Sequence, residues 1–251
     1  ALPISIEVSL QTHPPLTFIS EAVQSKKMTW SDIVDATCDA VVTRYNKGMS
    51  YGAVLLPEGL VEHLADGDAI WDHFEDSVGF DSHGNRKLSQ IETEKVLMKH
   101  VQVRLTQTHP EIPFEGITHF LGYEGRCAAP TQFDAFFTFN LGVLAGTLVL
   151  QGATGMMGVI GNWDEGGRVA AVPLTALLTQ EERSGRTEWV LKKQCVNLKS
   201  GAYTYWESRQ KDWLESDAFN SPGPRQYEGE SANQLPILVA LNQGYQSLKF
   251  N

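Results

Sequence analysis

Cysteine is scarce in this chain of 251 residues, and its three thiols, Cys38, Cys127 and Cys195, show no C-x-x-C spacing. Glycosylation sites of the form Asn-x-Ser/Thr are also missing. No basic segment followed by an apolar core and a small-residue cleavage site opens the sequence, so no secretory signal is expected. Together these absences favour a reducing, cytoplasmic location.

Positively charged residues are also few: the chain contains 20 Lys and Arg against 30 Asp and Glu, which gives a net charge of −10. Such a chain lacks the general attraction to phosphate backbones that nonspecific nucleic-acid binding needs, so no nucleic-acid partner is predicted. A phosphate group bound by this protein has to meet a few cations concentrated at one site.

The motifs that usually announce a metal or a catalytic nucleophile are absent too. The sequence contains no H-E-x-x-H, no P-loop, no G-x-G-x-x-G and no G-x-S-x-G. The acidic pair Asp66 and Asp68 lacks the ligand order of a calcium loop and is interpreted as part of a solvated face. We therefore predict no metal site in this chain.

Charge disappears altogether between Ala135 and Trp163, a stretch long enough to cross a bilayer. Asn140, Gln151 and six glycines interrupt it, and neither end has a Lys or Arg bias. We interpret the stretch as a buried helix, a glycine turn and a buried strand, with Gly142-x-x-x-Gly146 marking close packing of the helix in a core. No membrane partner is predicted.

Helical and strand patterns alternate along the chain. Four helices are predicted: from the capping box at Thr29 to Lys47, from Ser89 to Leu105, from the end of the Gly122–Pro130 loop to Leu150, and at Leu235–Leu248. Four strands are predicted, at Tyr51–Leu56, Ile117–Leu121, Gly158–Gly161 and Arg168–Val172. Parallel neighbours need crossover connections, which are usually helical, so the alternation predicts an α/β fold with a mainly parallel sheet. A polar segment at about 62–87 is interpreted as a surface insert, and no second domain is evident.

Two loops stand where the predicted strands end, Pro57–Gly59 and Gly122–Arg126. In open α/β sheets, ligands collect outside the carboxyl ends of strands. Arg126 suits a phosphate or carboxylate, and Glu58 suits sugar hydroxyls. From pattern alone, a glutamate placed as Glu58 is more often a carboxylate at a helix start, and an arginine placed as Arg126 is more often a surface ion-pair partner.

Nearly the whole chain resembles the C-terminal part of the long, pyrophosphate-dependent phosphofructokinases, the diphosphate–fructose-6-phosphate 1-phosphotransferases. The matching segments are Glu7–Pro14, Val54–Leu60, Leu88–Lys95, Leu121–Pro130 with Phe133 and Asp134, Pro173–Thr175, Glu182 and Arg183 with Gly185, and Ser221–Gln226. The Gly-Tyr-Glu-Gly-Arg loop in this setting is the most specific of them.

The resemblance implies a three-layer α/β fold in which Glu58, Tyr123, Glu124, Gly125 and Arg126 bind fructose 6-phosphate. It implies phosphoryl transfer from pyrophosphate, with Mg²⁺, to the C1 hydroxyl of the sugar. It also implies the N-terminal part of the enzyme as a partner, in a homo- or hetero-oligomer. A chain cut from that enzyme should expose an apolar face where the missing part packed.

The family's Gly-Gly-Asp-Asp, Thr-Ile-Asp-x-Asp and Met-Gly-Arg motifs, which bind the donor and carry the base, are absent from this sequence. The resemblance therefore supplies no catalytic residue and no Mg²⁺ ligand here, and the chain alone is expected to be inactive. Two alternatives remain open at this point. One is a non-catalytic, regulatory α-type half that supports a catalytic partner, and the other is an ATP-dependent relative.

Overall fold

The structure, a computed structural model, describes residues 4–74, 91–122, 124–126, 130–161, 167–183, 186–191, 195–223 and 235–244. Its helices are α1 Ile4–Thr12, α2 Ser20–Ser25, α3 Trp30–Asn46, α4 Thr93–Thr108, α5 Gln132–Leu150, α6 Gly201–Glu215 and α7 Ile237–Asn242. Its strands are β1 Leu16–Thr17, β2 Val54–Leu55, β3 Met156–Gly161, β4 Arg168–Pro173, β5 Leu178–Arg183 and β6 Arg186–Leu191. The chain is therefore mixed α and β.

These elements form two compact units, although no domain boundary was evident in the sequence. Unit 1 contains Ala1–Cys127, Cys195–Pro222 and Leu248–Asn251, and unit 2 contains Ala128–Gln194 and Gly223–Ser247. Both units are discontinuous, because the chain leaves unit 1, builds most of unit 2 and returns to supply α6.

The sheet of unit 1 is one parallel pair, in which Leu16 lies opposite Val54 and Thr17 opposite Leu55. The Phe18 N–H continues the ladder by donating to the Leu55 carbonyl over 3.0 Å. This pair has the predicted parallel direction. The strand expected at 51–56 is only two residues long, however, and Val54 is exposed, so the expectation of a buried strand is wrong.

Helix α3 begins at the predicted capping box. Asp32 Oδ2 accepts from the Thr29 N–H over 2.7 Å, and Thr29 Oγ1 accepts from the Asp32 N–H over 3.3 Å. Asp66 Oδ2 satisfies a further free donor of the same turn by accepting from the Trp30 N–H over 2.7 Å. Asp66 is thus a helix cap contributed from outside the helix, and its interpretation as part of a solvated face is wrong.

The main apolar core lies between α3, α4 and the short 3-10 helices that follow β2. Its members are Phe18, Val23, Trp30, Ile33, Val34, Cys38, Leu60, Val61, Leu64, Ile70, Phe74, Ile91, Leu97, Val101 and Leu105. The described part of the predicted surface insert, 62–74, supplies three of these, Leu64, Ile70 and Phe74, because it returns over the core in two 3-10 helices. The predicted helix start at Ser89 lies outside the described residues, and α4 itself begins at Thr93.

Helix α6 closes unit 1 against α1, and sequence reasoning did not identify it. The Trp206 indole N–H donates to Ser9 Oγ over 2.9 Å, and Ser9 Oγ lies 2.9 Å from Thr17 Oγ1 on β1. Trp206 and Trp213 are buried on the same helix. The hydroxyl of Ser9 therefore joins α1, β1 and α6.

Unit 2 contains two hairpins, in which β3 pairs antiparallel with β4 and β5 pairs antiparallel with β6. The strands expected at 158–161 and 168–172 are formed. No residue of β3 is buried, however, so the expectation of a buried strand is wrong. The mainly parallel sheet is also wrong for the described strands. Connections of six and two residues are too short for a crossover helix, so neighbouring strands reverse direction instead. The second hairpin was not predicted.

Two expectations about apolar segments also fail. The strand expected at Ile117–Leu121 is not formed, and Ile117, Phe120 and Leu121 are exposed. Helix α5 is present with its own capping box at Thr131, but it has no buried residue, so the expectation of a buried helix is wrong. By length and composition alone, α5 is the one described helix that could cross a membrane.

Candidate sugar-phosphate site

Glu58 occupies the turn that follows β2, in unit 1. The turn is closed by the Leu60 N–H, which donates to the Pro57 carbonyl over 3.1 Å, and a 3-10 helix begins at Leu60. Pro57, Gly59 and Leu60 are buried while Glu58 is exposed. The buried neighbours fix the backbone, and the carboxylate is presented to solvent at the carboxyl end of a parallel pair, as predicted.

The loop after β1 lies at this same sheet edge. Ser20 begins α2 directly beyond it, is fully buried, and its hydroxyl has no hydrogen-bond partner within the described chain. Helix α2 packs beside the 3-10 helix that follows Glu58, and His63 Nδ1 lies 3.1 Å from Gln24 Oε1 between them. The two strand-end loops of unit 1 are therefore adjacent, with one unsatisfied hydroxyl beneath them.

The second predicted loop turns at Gly122, whose φ is +46°. This left-handed backbone conformation favours glycine, and a Cβ there would also lie 2.7 Å from Cε1 of Phe120, so that the exposed ring would have to move. The Glu124 N–H then donates to the Leu121 carbonyl over 2.8 Å, and a single 3-10 turn runs over Glu124–Arg126. This compact turn places Glu124 and Gly125 at the surface.

The remaining predicted site residues are described only in part. Tyr123 lies outside the described residues, and Arg126 is described as the last residue of the 3-10 turn without its side chain. Their roles in binding stay predictions.

His119 is an additional candidate that sequence reasoning missed. Its Nε2 lies 3.4 Å from Glu124 Oε2, across the Gly122 turn, and both side chains are largely exposed. The signal available in the sequence was the position of a histidine five residues before the glutamate of the loop, on the other side of a glycine. The pair gives this loop a carboxylate, which accepts hydrogen bonds, and an imidazole, which can donate them.

The two predicted loops do not share a sheet edge. Glu58 follows a strand, whereas the segment before Gly122 is unpaired chain, because the strand expected at Ile117–Leu121 is not formed. Both loops nevertheless belong to unit 1, and each presents a carboxylate at the surface. Carboxylates that accept from hydroxyls suit the sugar part of a phosphorylated sugar.

Metal chemistry has no comparable support. No group of three or more His, Cys, Asp or Glu side chains that could hold a metal ion occurs in the described part of the chain. The carboxylates of Glu58 and Glu124 lie on separate loops, and His119 with Glu124 makes only a pair. The described residues therefore do not fit a magnesium site.

Comparison with known proteins gives relatives over nearly the full length of the chain. No family model matches it. The pyrophosphate–fructose 6-phosphate 1-phosphotransferase subunit beta of Solanum tuberosum is 32% identical over 96% of this chain and 50% of its own length. The pyrophosphate–fructose 6-phosphate 1-phosphotransferase of Entamoeba histolytica is 30% identical, over 91% of this chain and 50% of its own length. A subunit alpha 2 from Arabidopsis thaliana is 28% identical over 95% of the chain and 46% of its own length. The chain thus spans about half the length of the curated relatives it matches.

Proposed function

The chain belongs to the family of the pyrophosphate–fructose 6-phosphate 1-phosphotransferases, and we propose that it is the C-terminal, fructose-6-phosphate-binding portion of such an enzyme. The match over half the length of each relative is consistent with such a portion. The three-layer phosphofructokinase arrangement is part of the proposal, with the two units of this chain as pieces of it.

The observation that carries the proposal is the pair of loops in unit 1 that combine rigid backbone with exposed carboxylates. Glu58 is set by buried neighbours and Glu124 by the Gly122 turn. In the proposed complex, Glu58 accepts hydrogen bonds from sugar hydroxyls and Arg126 donates to the 6-phosphate, while Tyr123, Glu124 and Gly125 complete the loop around the sugar.

In the proposed reaction, pyrophosphate donates a phosphoryl group to the C1 hydroxyl of fructose 6-phosphate. This chain binds the acceptor and holds it in place, and such positioning contributes much of the rate of phosphoryl transfer. Mg²⁺ would neutralise charge on the donor when bound. Because the described residues do not fit a magnesium site, we assign the metal, the donor and the base to the other half of the enzyme. The chain alone is then inactive.

A regulatory, α-type half is the weaker candidate. Identity to the alpha 2 subunit of Arabidopsis thaliana is 28%, against 32% for the beta subunit of Solanum tuberosum. Beta and alpha subunits are distinguished in the names of these relatives, which supports a hetero-oligomer as the assembly. We also propose a cytoplasmic location, which the free thiols of Cys38 and Cys195 support.

Calorimetric titration of fructose 6-phosphate into the chain tests the proposal. Wild-type protein should bind it, and Arg126→Ala should weaken binding by about one to two decades, because an arginine–phosphate hydrogen bond contributes about 1.5–3 kcal/mol. Glu58→Gln should weaken it less, since an amide oxygen still accepts.

Arg104→Ala is the matched control, since Arg104 pairs with Asp35 between α4 and α3 and lies outside both loops. It should bind as wild type does. Equal affinity of wild type and Arg126→Ala would overturn the assignment of Arg126, and no binding by the wild-type chain would overturn the proposed sugar-binding role.

A further inference from the structure

The described residues of unit 2 form almost no interior of their own. Among them only Ile237 and Ala240, both on α7, are buried, whereas every other buried apolar side chain belongs to unit 1. A helix and isolated two-stranded hairpins without a buried apolar face are marginal in water. Unit 2 therefore requires a cover that the described residues do not provide.

A large share of the exposed apolar surface of unit 2 lies on α5. One side of this helix packs on β3, where Leu144 lies so close to Gly158 that a Cβ at that glycine would be 2.8 Å from its Cδ2. The other side is a continuous stripe of apolar residues at helical spacing. We call it the outer face of α5, and it consists of Phe136, Phe139, Val143, Val149 and Leu150, which are 54–89% exposed, with Gly142 and Gly146.

The two glycines of the outer face are open as well, since a Cβ at Gly142 or Gly146 would meet nothing within 4 Å. The notch they form between Phe139 and Leu150 permits close approach by a backbone or a bulky apolar side chain. A continuous exposed apolar stripe on a protein surface marks a contact with another apolar surface.

The strands beside α5 indicate what kind of surface that is. Within the described residues, β3 pairs with β4 alone, so each strand of this hairpin has an edge of backbone N–H and C=O groups without a neighbouring strand. A lipid bilayer cannot satisfy such groups, whereas a polypeptide can, by adding a strand to the edge. Helix α5 also contains Asp134 in its first turn and no Lys or Arg, so it lacks the basic anchors of a membrane helix.

We propose that the outer face of α5 and the hairpin beside it are the docking surface for the complementary half of the phosphotransferase, a polypeptide related to the half of the relatives that this chain does not match. The inference rests on the proposed function. Its partner is the part of the enzyme that this chain does not match, which is about half the length of each relative. The complementary half covers the outer face with apolar side chains and extends the sheet at the hairpin.

The test uses the unmatched half of the Entamoeba histolytica relative, produced as a separate polypeptide, as the probe. Mixed with the wild-type chain, it should give a one-to-one complex by light scattering, and amide exchange should slow in α5 while α4 serves as the internal reference. Phe139→Asp combined with Val143→Asp should weaken the complex about 30-fold or more.

Phe219→Asp combined with Val103→Asp is the matched control, because both side chains are similarly exposed on unit 1. It should form the complex as wild type does. Absence of a complex with the wild-type chain, equal binding by the α5 variant, a self-dimer through α5 in place of the mixed complex, or binding to phosphatidylcholine vesicles by the same face would each overturn the proposal. Fructose 6-phosphate binding, measured separately, would show whether the proposed function falls with it.

Discussion

Arg44 donates a hydrogen bond from Nη1 to the backbone carbonyl of Leu214 over 3.0 Å, from the end of α3 to the end of α6. The same nitrogen donates to the Ser216 carbonyl over 3.0 Å, and Nε donates to the Tyr51 carbonyl over 2.9 Å. The guanidinium is buried. One charged side chain thus satisfies partly buried carbonyls at the end of α6, which have no partner within the helix.

Arg44→Met should lower the free energy of unfolding by about 2–4 kcal/mol, because it leaves three partly buried carbonyls without their donor. Urea denaturation followed by circular dichroism measures this. Lys47→Met is the control, since the Lys47–Glu215 ion pair is exposed to solvent and should contribute little to stability. Equal losses in the two variants would contradict the role given to Arg44.

Two buried serines should respond differently to the same substitution. Ser9 Oγ is bonded to Thr17 and Trp206, so Ser9→Ala should destabilise the fold by about 1–3 kcal/mol. Ser20 Oγ has no described partner, so Ser20→Ala should be neutral or stabilising by up to about 1 kcal/mol. Thermal unfolding of the pair distinguishes them, and a loss at Ser20 as large as that at Ser9 would show that its hydroxyl is bonded.

Gly122→Ala should impair the candidate site without unfolding the protein. The change forces a Cβ into the left-handed region and against Phe120, at a cost of about 1–2 kcal/mol or more that rearranges the Glu124–Arg126 turn. Affinity for fructose 6-phosphate should fall by about tenfold. Gly161→Ala, where a Cβ meets nothing within 4 Å, is the control in unit 2. Unaltered affinity of Gly122→Ala would mean that the turn does not set the site.

The capping box of α3 predicts an acid-sensitive contribution to stability. The Thr29 backbone N–H, and then the Thr29 hydroxyl, hold the pKa of the Asp32 carboxyl below its ordinary value. A lowered pKa in the folded state stabilises the fold above the ordinary value and loses that contribution as pH falls through the folded pKa. Asp32→Asn should therefore flatten the stability curve below about pH 4. Asp39→Asn, an exposed position on the same helix, supplies the comparison, and parallel curves for Asp32→Asn and wild type would refute the idea.

The described thiols should differ sharply in reactivity. Burial, and next the nearby Asp35 carboxylate, raise the pKa of Cys38 to about 11, whereas Cys195 is exposed. In a Cys127→Ser background at pH 8, a disulfide reagent should modify one thiol quickly and the second only on unfolding, since only about one Cys38 in a thousand is a thiolate. Mass mapping identifies the site. Rapid modification of Cys38 under native conditions would show that its environment opens readily.

The raised pKa of Cys38 also predicts a loss of stability in alkali. A folded pKa above the unfolded value favours the folded state below the unfolded pKa, and the benefit disappears as pH rises through the folded value. For Cys38 the window runs from about pH 9 to 11. Unfolding free energies measured across this window should fall less steeply for Cys38→Ala than for wild type, and identical slopes would contradict the assignment.

Local signals were the most informative part of the sequence. The Thr29 capping box fixes the start of α3, and the glycine of the Gly122 loop marks a turn that does require glycine, because both depend on a few neighbouring residues. The direction of strand pairing was wrong beyond β1 and β2, since apolar runs do not reveal whether a short connection closes a hairpin.

Burial was the other expectation that a sequence pattern could not settle. The composition of α5 is that of an interior helix, yet no residue of it is buried here. An apolar composition predicts that a helix packs against another surface, but it does not indicate which polypeptide provides that surface. Asp66 shows the converse, because only the fold brings a carboxylate 36 residues away onto the first turn of α3.

Because α6 belongs to unit 1 but follows most of unit 2 in the sequence, unit 1 can be completed only after most of unit 2 has been synthesised. Ser9 and Trp206, which are hydrogen-bonded in the finished fold, are 197 residues apart in sequence. At translation rates of about 5–20 residues per second, α1 emerges from the ribosome about 10–40 s before α6 does. During that interval the surface of α1 and β1 that α6 later covers stays exposed, so we expect unit 1 to complete its folding only after α6 has been synthesised.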